Sequence, residues 1–326
     1  MTAAHRGKAA LAALDERIVA PVALRFERPS LITLAFHHVF ENEAEIESGL
    51  VLPQEAVTVA GFRRVVDHLA EAEYRFVSLG EIVNGLGSPG RFACLTFDDG
   101  NASNLRILDV LRAYAIPASI FVSTRRLETG EKYWWDVLYY ERRKRGDNAH
   151  ALVTELRLLE RMAPREIERY LELEFGSDAS TPRGEIDRPL ARPELLDLAA
   201  VEAVTIGNHT VDHVALSILS RAEVRAQLLE AQGYLEEATG SAPSAVAYPD
   251  GAYNAEVVDV ARELGFACGL TTRRRKERPP VGADRLLELG RFQLDGKRDL
   301  DAQLRVIRSD VQLANTARRV LRRSPD

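Results

Sequence analysis

The sequence predicts an α/β barrel of parallel strands, and three observations lead there. Short apolar runs alternate along the chain with segments of helical periodicity, the pattern of repeated βα units. Eight such runs fall within about 260 residues, which suits a barrel better than an open sheet. No glycine-rich dinucleotide or P-loop fingerprint occurs, so the usual cofactor reason for an open sheet is missing.

Taken in order, residues 1–30 form a tail of helical character. Asp15, Glu16 and Arg17 split its apolar run, so it does not read as an export signal. No stretch of about 18 apolar residues occurs, so no membrane span is expected and the cytoplasm is the expected compartment. The barrel follows over residues 31–299. Its strand candidates are 31–36, 75–79, 91–97, 117–122, 204–207, 245–248, 266–271 and 286–292. Between them, Phe62, Val65, Val66 and Leu69 make one apolar stripe at helical spacing. Leu105, Leu108 and Leu111 make a second, and Val224, Leu228, Ala231 and Leu235 a third. The segment from about 124 to 189 is charged and helical, with no clear strand, and it reads as an insertion after the strand at 117–122. From residue 300 to 326 the chain reads as one amphipathic basic helix. Leu300, Leu304, Ile307 and Val311 share a face, and Arg318, Arg319, Arg322 and Arg323 lie near its end. Those arginines either favour the helix's C-terminal dipole or rest on anionic lipid, where each is worth about 1 kcal/mol. Peripheral membrane contact through this helix is therefore an expectation to test.

The bulk composition excludes some classes. An apolar share of 46% and a charged share of 28% are those of an ordinary globular domain. The net charge of −6 argues against a nucleic-acid partner, since phosphate binding needs a basic surface. The two cysteines, Cys94 and Cys268, lie far apart inside apolar runs and read as buried thiols rather than a disulfide or metal framework.

Three motifs carry chemistry. In Leu95-Thr96-Phe97-Asp98-Asp99-Gly100 an apolar strand ends in two adjacent carboxylates, followed by a helix with Asn101 or Ser103 as its cap. Adjacent carboxylates repel unless a cation or a shared proton separates their roles; solvated charges in an Asp-Gly turn are the simpler alternative. Gly207-Asn208-His209-Thr210-Val211-Asp212-His213 follows another strand, and two histidines at i and i+4 on a helical turn suit one metal. Both motifs sit at strand C-termini, so a barrel brings them to one mouth. One Asp and two His leave positions open for water and substrate, the pattern of a catalytic metal site. The third motif, residues 247–254 (AYPDGAYN), is a turn between strand and helix whose backbone N–H groups could hold an oxyanion.

Together these motifs resemble the polysaccharide deacetylase family, the NodB-homology domain of carbohydrate esterase family 4. The matching pieces are TFDDG at 96–100, HTVDH at 209–213 and AYPDGAYN at 247–254. Softer likenesses run through LAFHHV at 34–39, residues 62–79 and the stretch around Arg291. The resemblance covers roughly residues 30–125 and 193–295 and implies a distorted (β/α)7-type barrel with a helical insertion. It also implies that Asp99, His209 and His213 bind a divalent metal, usually zinc, and that Asp98 is the general base. The implied reaction removes the N-acetyl group from an amino sugar in a polysaccharide or glycolipid precursor. Asp250, Tyr248 and Arg291 are the candidates for oxyanion or substrate contact. Tyr133, Trp134, Trp135, Tyr139 and Tyr140 are candidates for stacking on sugar faces or for packing the insertion.

The chain departs from the family at two points. Ala247-Tyr248 stands where many members carry an arginine that steadies the base, and no histidine follows His213 to supply the late general acid. A substitute acid is therefore sought in His37 or His38, which follow the first strand at the mouth end. Neighbouring side chains leave a strand on opposite sides, so one of them should face inward. His37 is favoured because it matches a histidine found after this strand in related sequences. Two other readings compete: a metal amidohydrolase on a non-sugar amide, and a non-catalytic metal-dependent glycan binder.

Overall fold

The alternating apolar runs fold into a main sheet of seven parallel strands. The computed structural model describes residues 15–87 and 89–309. In chain order the strands are β1 (Ser30–Phe36), β2 (Val39–Phe40), β3 (Val57–Thr58), β4 (Arg75–Phe76), β5 (Arg91–Phe97), β6 (Ala118–Val122), β7 (Val204–Asn208), β8 (Ala245–Ala247) and β9 (Cys268–Leu270). The main sheet runs β1-β5-β6-β7-β8-β9 with β4 beside β5, while β2 and β3 form a small pair of their own. Phe36 lies opposite Phe97 and Val122 opposite Asn208, so the C-terminal ends of β1, β5, β6 and β7 share one rim.

The expected eighth strand, 286–292, does not form. Leu286–Glu288 is a 3-10 turn, and the residues after it pass from one strand to another. Leu289 N–H donates to Gly269 of β9, whereas Phe292 N–H donates to Thr33 of β1. Parallel bridges Leu270–Leu289 and Leu34–Phe292 mark the same handover. Apolar content made this stretch read as a strand, but it satisfies its backbone against two partners in turn and so closes the distorted (β/α)7-type barrel as a link.

The helical stripes pack as amphipathicity dictates. In Val59–Glu71, Phe62, Val65, Val66 and Leu69 are buried. The Phe62 ring meets Phe36 and Phe97 at 5.4 and 5.5 Å. Arg221–Thr239 buries Val224, Leu228, Ala231 and Leu235, and Ser220 with Glu223 closes a capping box at its start. The second stripe is only partly as expected. Ala102–Ile107 is a 3-10 helix, Leu111 is buried and Leu105 and Leu108 are half-buried. The strand expected to reach residue 79 stops at Phe76, because Ser78 caps the helix Leu79–Val83.

Between β6 and β7 lie the helices Thr124–Thr129, Trp134–Arg145, Ala149–Leu159, Pro164–Phe175 and Arg192–Ala199. Trp134–Arg145, Ala149–Leu159 and Pro164–Phe175 share a core of their own, built on Val137, Leu138, Leu159, Ile167 and Leu171, whereas Leu127 of Thr124–Thr129 packs into the main core. The helix Leu300–Arg308 buries Leu304 and Ile307 and packs on Val59–Glu71 and on the N-terminal helical segment. Val311, Arg318, Arg319, Arg322 and Arg323 lie outside the described residues. No helix among the described residues is long and apolar enough to cross a membrane.

Candidate active site and metal centre

β5 delivers two carboxylates to the rim in different directions. Asp98 N–H donates to Phe36 O at 2.9 Å, which continues the sheet by one residue. Asp99 then takes φ +75° and Gly100 φ +75°, so the chain turns abruptly. A non-glycine residue in the left-handed region is strained, and such strain persists where the surroundings over-determine it. At Gly100 a Cβ would lie 2.9 Å from Val122 Cγ1, so glycine is required by space as well as by φ. The expected side-chain cap is absent: neither Asn101 nor Ser103 caps the helix, and Ser103 Oγ accepts from Val39 N–H instead.

β7 delivers the histidines, through a loop rather than the expected helical turn. Thr210 and His213 have φ of +68° and +52°, and Thr210 Oγ1 accepts from His213 N–H. Asn208 Oδ1 accepts from Thr210 N–H, and Gln227 Oε1 accepts from both Val211 and Asp212 N–H. Arg125 and Gln227 also donate to the Asp212 carboxylate. The loop is thus held from three sides, and it brings the imidazole centroids to 4.8 Å without helical geometry.

These side chains meet at one point. His209 Nε2 and His213 Nε2 lie 3.5 and 3.3 Å from Asp99 Oδ1. One ligand atom from each of Asp99, His209 and His213 falls within 4.8 Å of the others. His209 Nδ1 lies 2.8 Å from Ala247 O, which makes it the donor and turns the lone pair of Nε2 toward Asp99. All three residues are enclosed, and both Asp99 oxygens lack a hydrogen-bond donor. A buried carboxylate with neither oxygen satisfied is costly unless a cation belongs there, so the donor set fits a divalent metal of the kind that takes imidazole and carboxylate.

Asp98 has a different partner. Arg291 Nη1 and Nη2 donate to its two oxygens at 2.7 Å each, and Arg291 also donates to Thr271 O and Thr96 Oγ1. Burial pushes the Asp98 pKa up, and Arg291 with His209 and His37 brings it below the ordinary value. Arg291 was expected among the oxyanion or substrate contacts. Its fork is bound to Asp98 while its side chain also lines the cavity, and it supplies a guanidinium where Ala247-Tyr248 has none. Tyr248 is a correction. Its side chain is fully buried beside Tyr253, its hydroxyl donates to Leu287 O, and it does not reach the cavity. Asp250 stands on the cavity rim with φ +56°. Gly251 and Ala252 use their N–H groups to close the turn on Tyr248 and Pro249, and Tyr248 N–H donates to Leu270 O, so these three are spent within the fold.

The two adjacent histidines part at the end of β1. His37 lines the cavity, and its Nδ1 lies 2.9 and 3.0 Å from the two oxygens of Glu55. His38 turns into the protein, with Nε2 3.4 Å from Asp136 Oδ2. Burial lowers the His37 pKa, but Glu55, helped by Asp99 and Asp98, overrides it and raises it to about 10. Glu55 was not anticipated, because nothing in its local sequence points to a histidine 18 residues away.

The cavity above these groups measures about 760 Å³. Trp134 and Trp135 line one side. Trp135 rests between His213 (4.7 Å) and Tyr133 (4.5 Å), and the Tyr133 hydroxyl donates to the backbone of Asp99. Tyr139 and Tyr140 lie away from it: Tyr139 accepts from Arg143, and Tyr140 sits against Lys132 and Arg183.

Comparison with known proteins adds to this geometry. Residues 87–269 match the family model described as polysaccharide deacetylase. The Streptococcus pyogenes deacetylase PplD, solved in complex with acetate, is similar in fold at TM-score 0.59 and 18% identity, covering 85% of this chain and 98% of that one. IcaB from Ammonifex degensii is similar at TM-score 0.59 and 18% identity, covering 86% and 97%. A de-N-acetylase from Aggregatibacter actinomycetemcomitans is similar at TM-score 0.58 and 15% identity, covering 85% and 99%. No curated protein matches the chain.

Proposed function

The chain belongs to the polysaccharide deacetylase family, and from that premise we propose that it is a metal-dependent hydrolase that removes the N-acetyl group from an amino sugar and releases acetate. The observation that carries this reading is the division of labour at one rim. Asp99, with both oxygens unsatisfied, faces two imidazole nitrogens, while its neighbour Asp98 is held apart by Arg291. A divalent cation on Asp99, His209 and His213 would polarise an amide carbonyl, acidify water and, by its charge, pull the His37 pKa down.

The chain's own groups supply the proton transfers. Arg291 donates one hydrogen bond to each Asp98 oxygen, and each oxygen keeps a further lone pair for a water proton. As water oxygen adds to the acetamide carbon, that proton passes to Asp98. The C–N bond then breaks, and the amine nitrogen needs a proton to leave. His37 stands ready to give one: Glu55 occupies Nδ1, which leaves Nε2 as the ring nitrogen for the cavity. The Asp250 N–H is the backbone donor suited to the developing oxyanion. Trp134, half-buried on the cavity wall, offers an aromatic surface for a sugar ring, while Trp135 is packed between Tyr133 and His213.

The test of the reading is acetate release from a panel of acetylated amino-sugar substrates, with and without a chelator and added zinc. Chelator-sensitive release is the expected result. Metal-dependent sugar binding without release would make the protein a glycan binder, and release only from non-sugar amides would make it an amidohydrolase of another class.

The acid has its own prediction. His37→Gln should preserve metal content and substrate binding while lowering turnover by about 10²–10⁴, the usual worth of a general acid. Glu55→Gln should act more gently and through pH. His37 works as the protonated form, and Glu55 keeps it protonated up to about pH 10 in the metal-free protein. Without that carboxylate burial dominates and the pKa falls, so the alkaline limb of the kcat/KM profile should move to lower pH. An unmoved limb would mean that His37 is not the acid, leaving Asp98 to serve as base and acid in succession.

A further inference from the structure

The N-terminal helical segment, residues 15–26, carries an apolar face that the catalytic reading does not use. Ile18 is 58% exposed, Val22 57% and Phe26 79%. They recur every four residues along a continuous helical run whose turns are π (Asp15–Val19), α (Ala20–Ala23) and 3-10 (Leu24–Phe26), a spacing that keeps them on roughly one side, with the exposed Pro21 and Arg25 beside them. The other side is packed: Ala20 is buried and the segment lies against Leu300–Arg308. That inner side also reaches the catalytic cavity, which is lined by Asp15 from this segment and by Gln303 and Val306 from the helix beneath it. One wall therefore faces substrate on its inside and presents three large apolar side chains on its outside. Isolated exposed apolar residues are ordinary, but a contiguous stripe marks an interaction surface.

Charge and size choose the occupant. Arg25 and Arg28 are exposed beside the stripe and have no acidic partner among the described residues. The neighbouring Glu27 is held inward by Arg308, so its charge does not offset them. A stable protein interface needs about 20–30 residues on each side, far more than this stripe offers. An interfacial helix needs only a few apolar side chains dipping into the headgroup boundary, with basic residues beside them. We propose that Ile18, Val22 and Phe26, flanked by Arg25 and Arg28, seat the protein on an anionic lipid surface, with the cavity wall against the membrane. This anchor is distinct from the basic C-terminal end and requires no deacetylase activity.

The experiment is co-sedimentation of the full chain with vesicles of phosphatidylcholine alone and of phosphatidylcholine mixed with phosphatidylglycerol. The expected result is binding to the mixed vesicles that weakens with salt. The triple variant Ile18→Ser, Val22→Ser, Phe26→Ser should lower the vesicle partition coefficient at least about tenfold. Arg25→Gln with Arg28→Gln should weaken binding to the anionic vesicles alone. All five side chains are exposed, so the thermal melt should not move, and a normal melt separates lost docking from lost folding. Unchanged sedimentation of the triple variant would overturn the proposal. So would loss of binding on truncation after Ser309 with the triple variant still bound, since the C-terminal end would then be the anchor. A wild-type dimer that the triple variant turns into a monomer, with no vesicle binding by either, would assign the stripe to a second copy instead.

Discussion

Asp99→Ala, His209→Ala and His213→Ala are each expected to weaken metal binding by more than about 100-fold and to abolish acetate release. Loss of a residue that merely orients a ligand costs 10–100-fold in affinity, so loss of a ligand sets that figure as a floor. The three variants should not behave alike once metal is absent. In the metal-free wild type, Asp99 is the shared partner of both imidazoles, and His213 has its pKa raised by Asp99 against the opposing effect of burial. Asp99→Ala should therefore leave two buried imidazoles facing each other without a carboxylate. His213→Ala leaves Asp99 and His209 in contact. Metal content after dialysis and a competition titration with a chelator read the affinity. Metal retention by any one variant near the wild-type level would remove that residue from the ligand set.

The loop that carries the histidines shows how much of this site can be read from letters alone. HTVDH points to a metal pair because two imidazoles recur after a strand, and the barrel topology brings them to the same rim as Asp98 and Asp99. The route was misjudged. The i, i+4 spacing suggested a helical turn, whereas left-handed Thr210 and His213 and the grip of Asn208 and Gln227 make a loop with the same outcome. Helical spacing is one way to aim two side chains together; a loop pinned through its own backbone is another. Gln227 lies on the helix after β7 and gives no sign in the sequence of what its amide holds.

Arg291, Glu55 and Tyr248 were harder for a different reason. Arg291 reaches Asp98 across 193 residues and Glu55 reaches His37 across 18, and neither pair has a periodic signature. A weaker inference was available. A carboxylate at the buried end of an apolar strand needs a cation, and the usual arginine was absent at Ala247-Tyr248. That need does not say which arginine answers it. Tyr248 failed on direction: Ala247 turns its carbonyl to His209, and the next side chain points into the layer between sheet and helices beside Tyr253. The segment 286–292 failed on pairing. Its apolar residues suit a strand, but its hydrogen bonds go to β9 and then β1, a sharing visible only once the barrel closes.

Asp98→Asn is expected to lower turnover by about 10²–10⁴ while metal content stays at the wild-type level. The amide keeps the size of the carboxyl and removes its basicity. It also changes one of the two contacts with Arg291, because an amide nitrogen cannot accept from the guanidinium, so a modest loss of stability should accompany the loss of rate. The metal ligands are not touched, and this separates Asp98 from Asp99: Asp99→Asn should lose metal, Asp98→Asn should not. The opposite pattern would exchange the roles of the two carboxylates. Arg291→Met reaches the same base from the other side. With the guanidinium gone, burial is the dominant influence on Asp98 and raises its pKa, so a base active only when ionised should need a higher pH. The acid limb of the kcat/KM profile should therefore move upward in Arg291→Met, with metal retained and Arg291→Lys restoring part of the shift. Asp98→Asn offers no carboxyl to titrate, and its residual rate should show no acid limb from this group. A limb that stays in place in both variants would show that some other group limits the rate at low pH and that Asp98 is not the base.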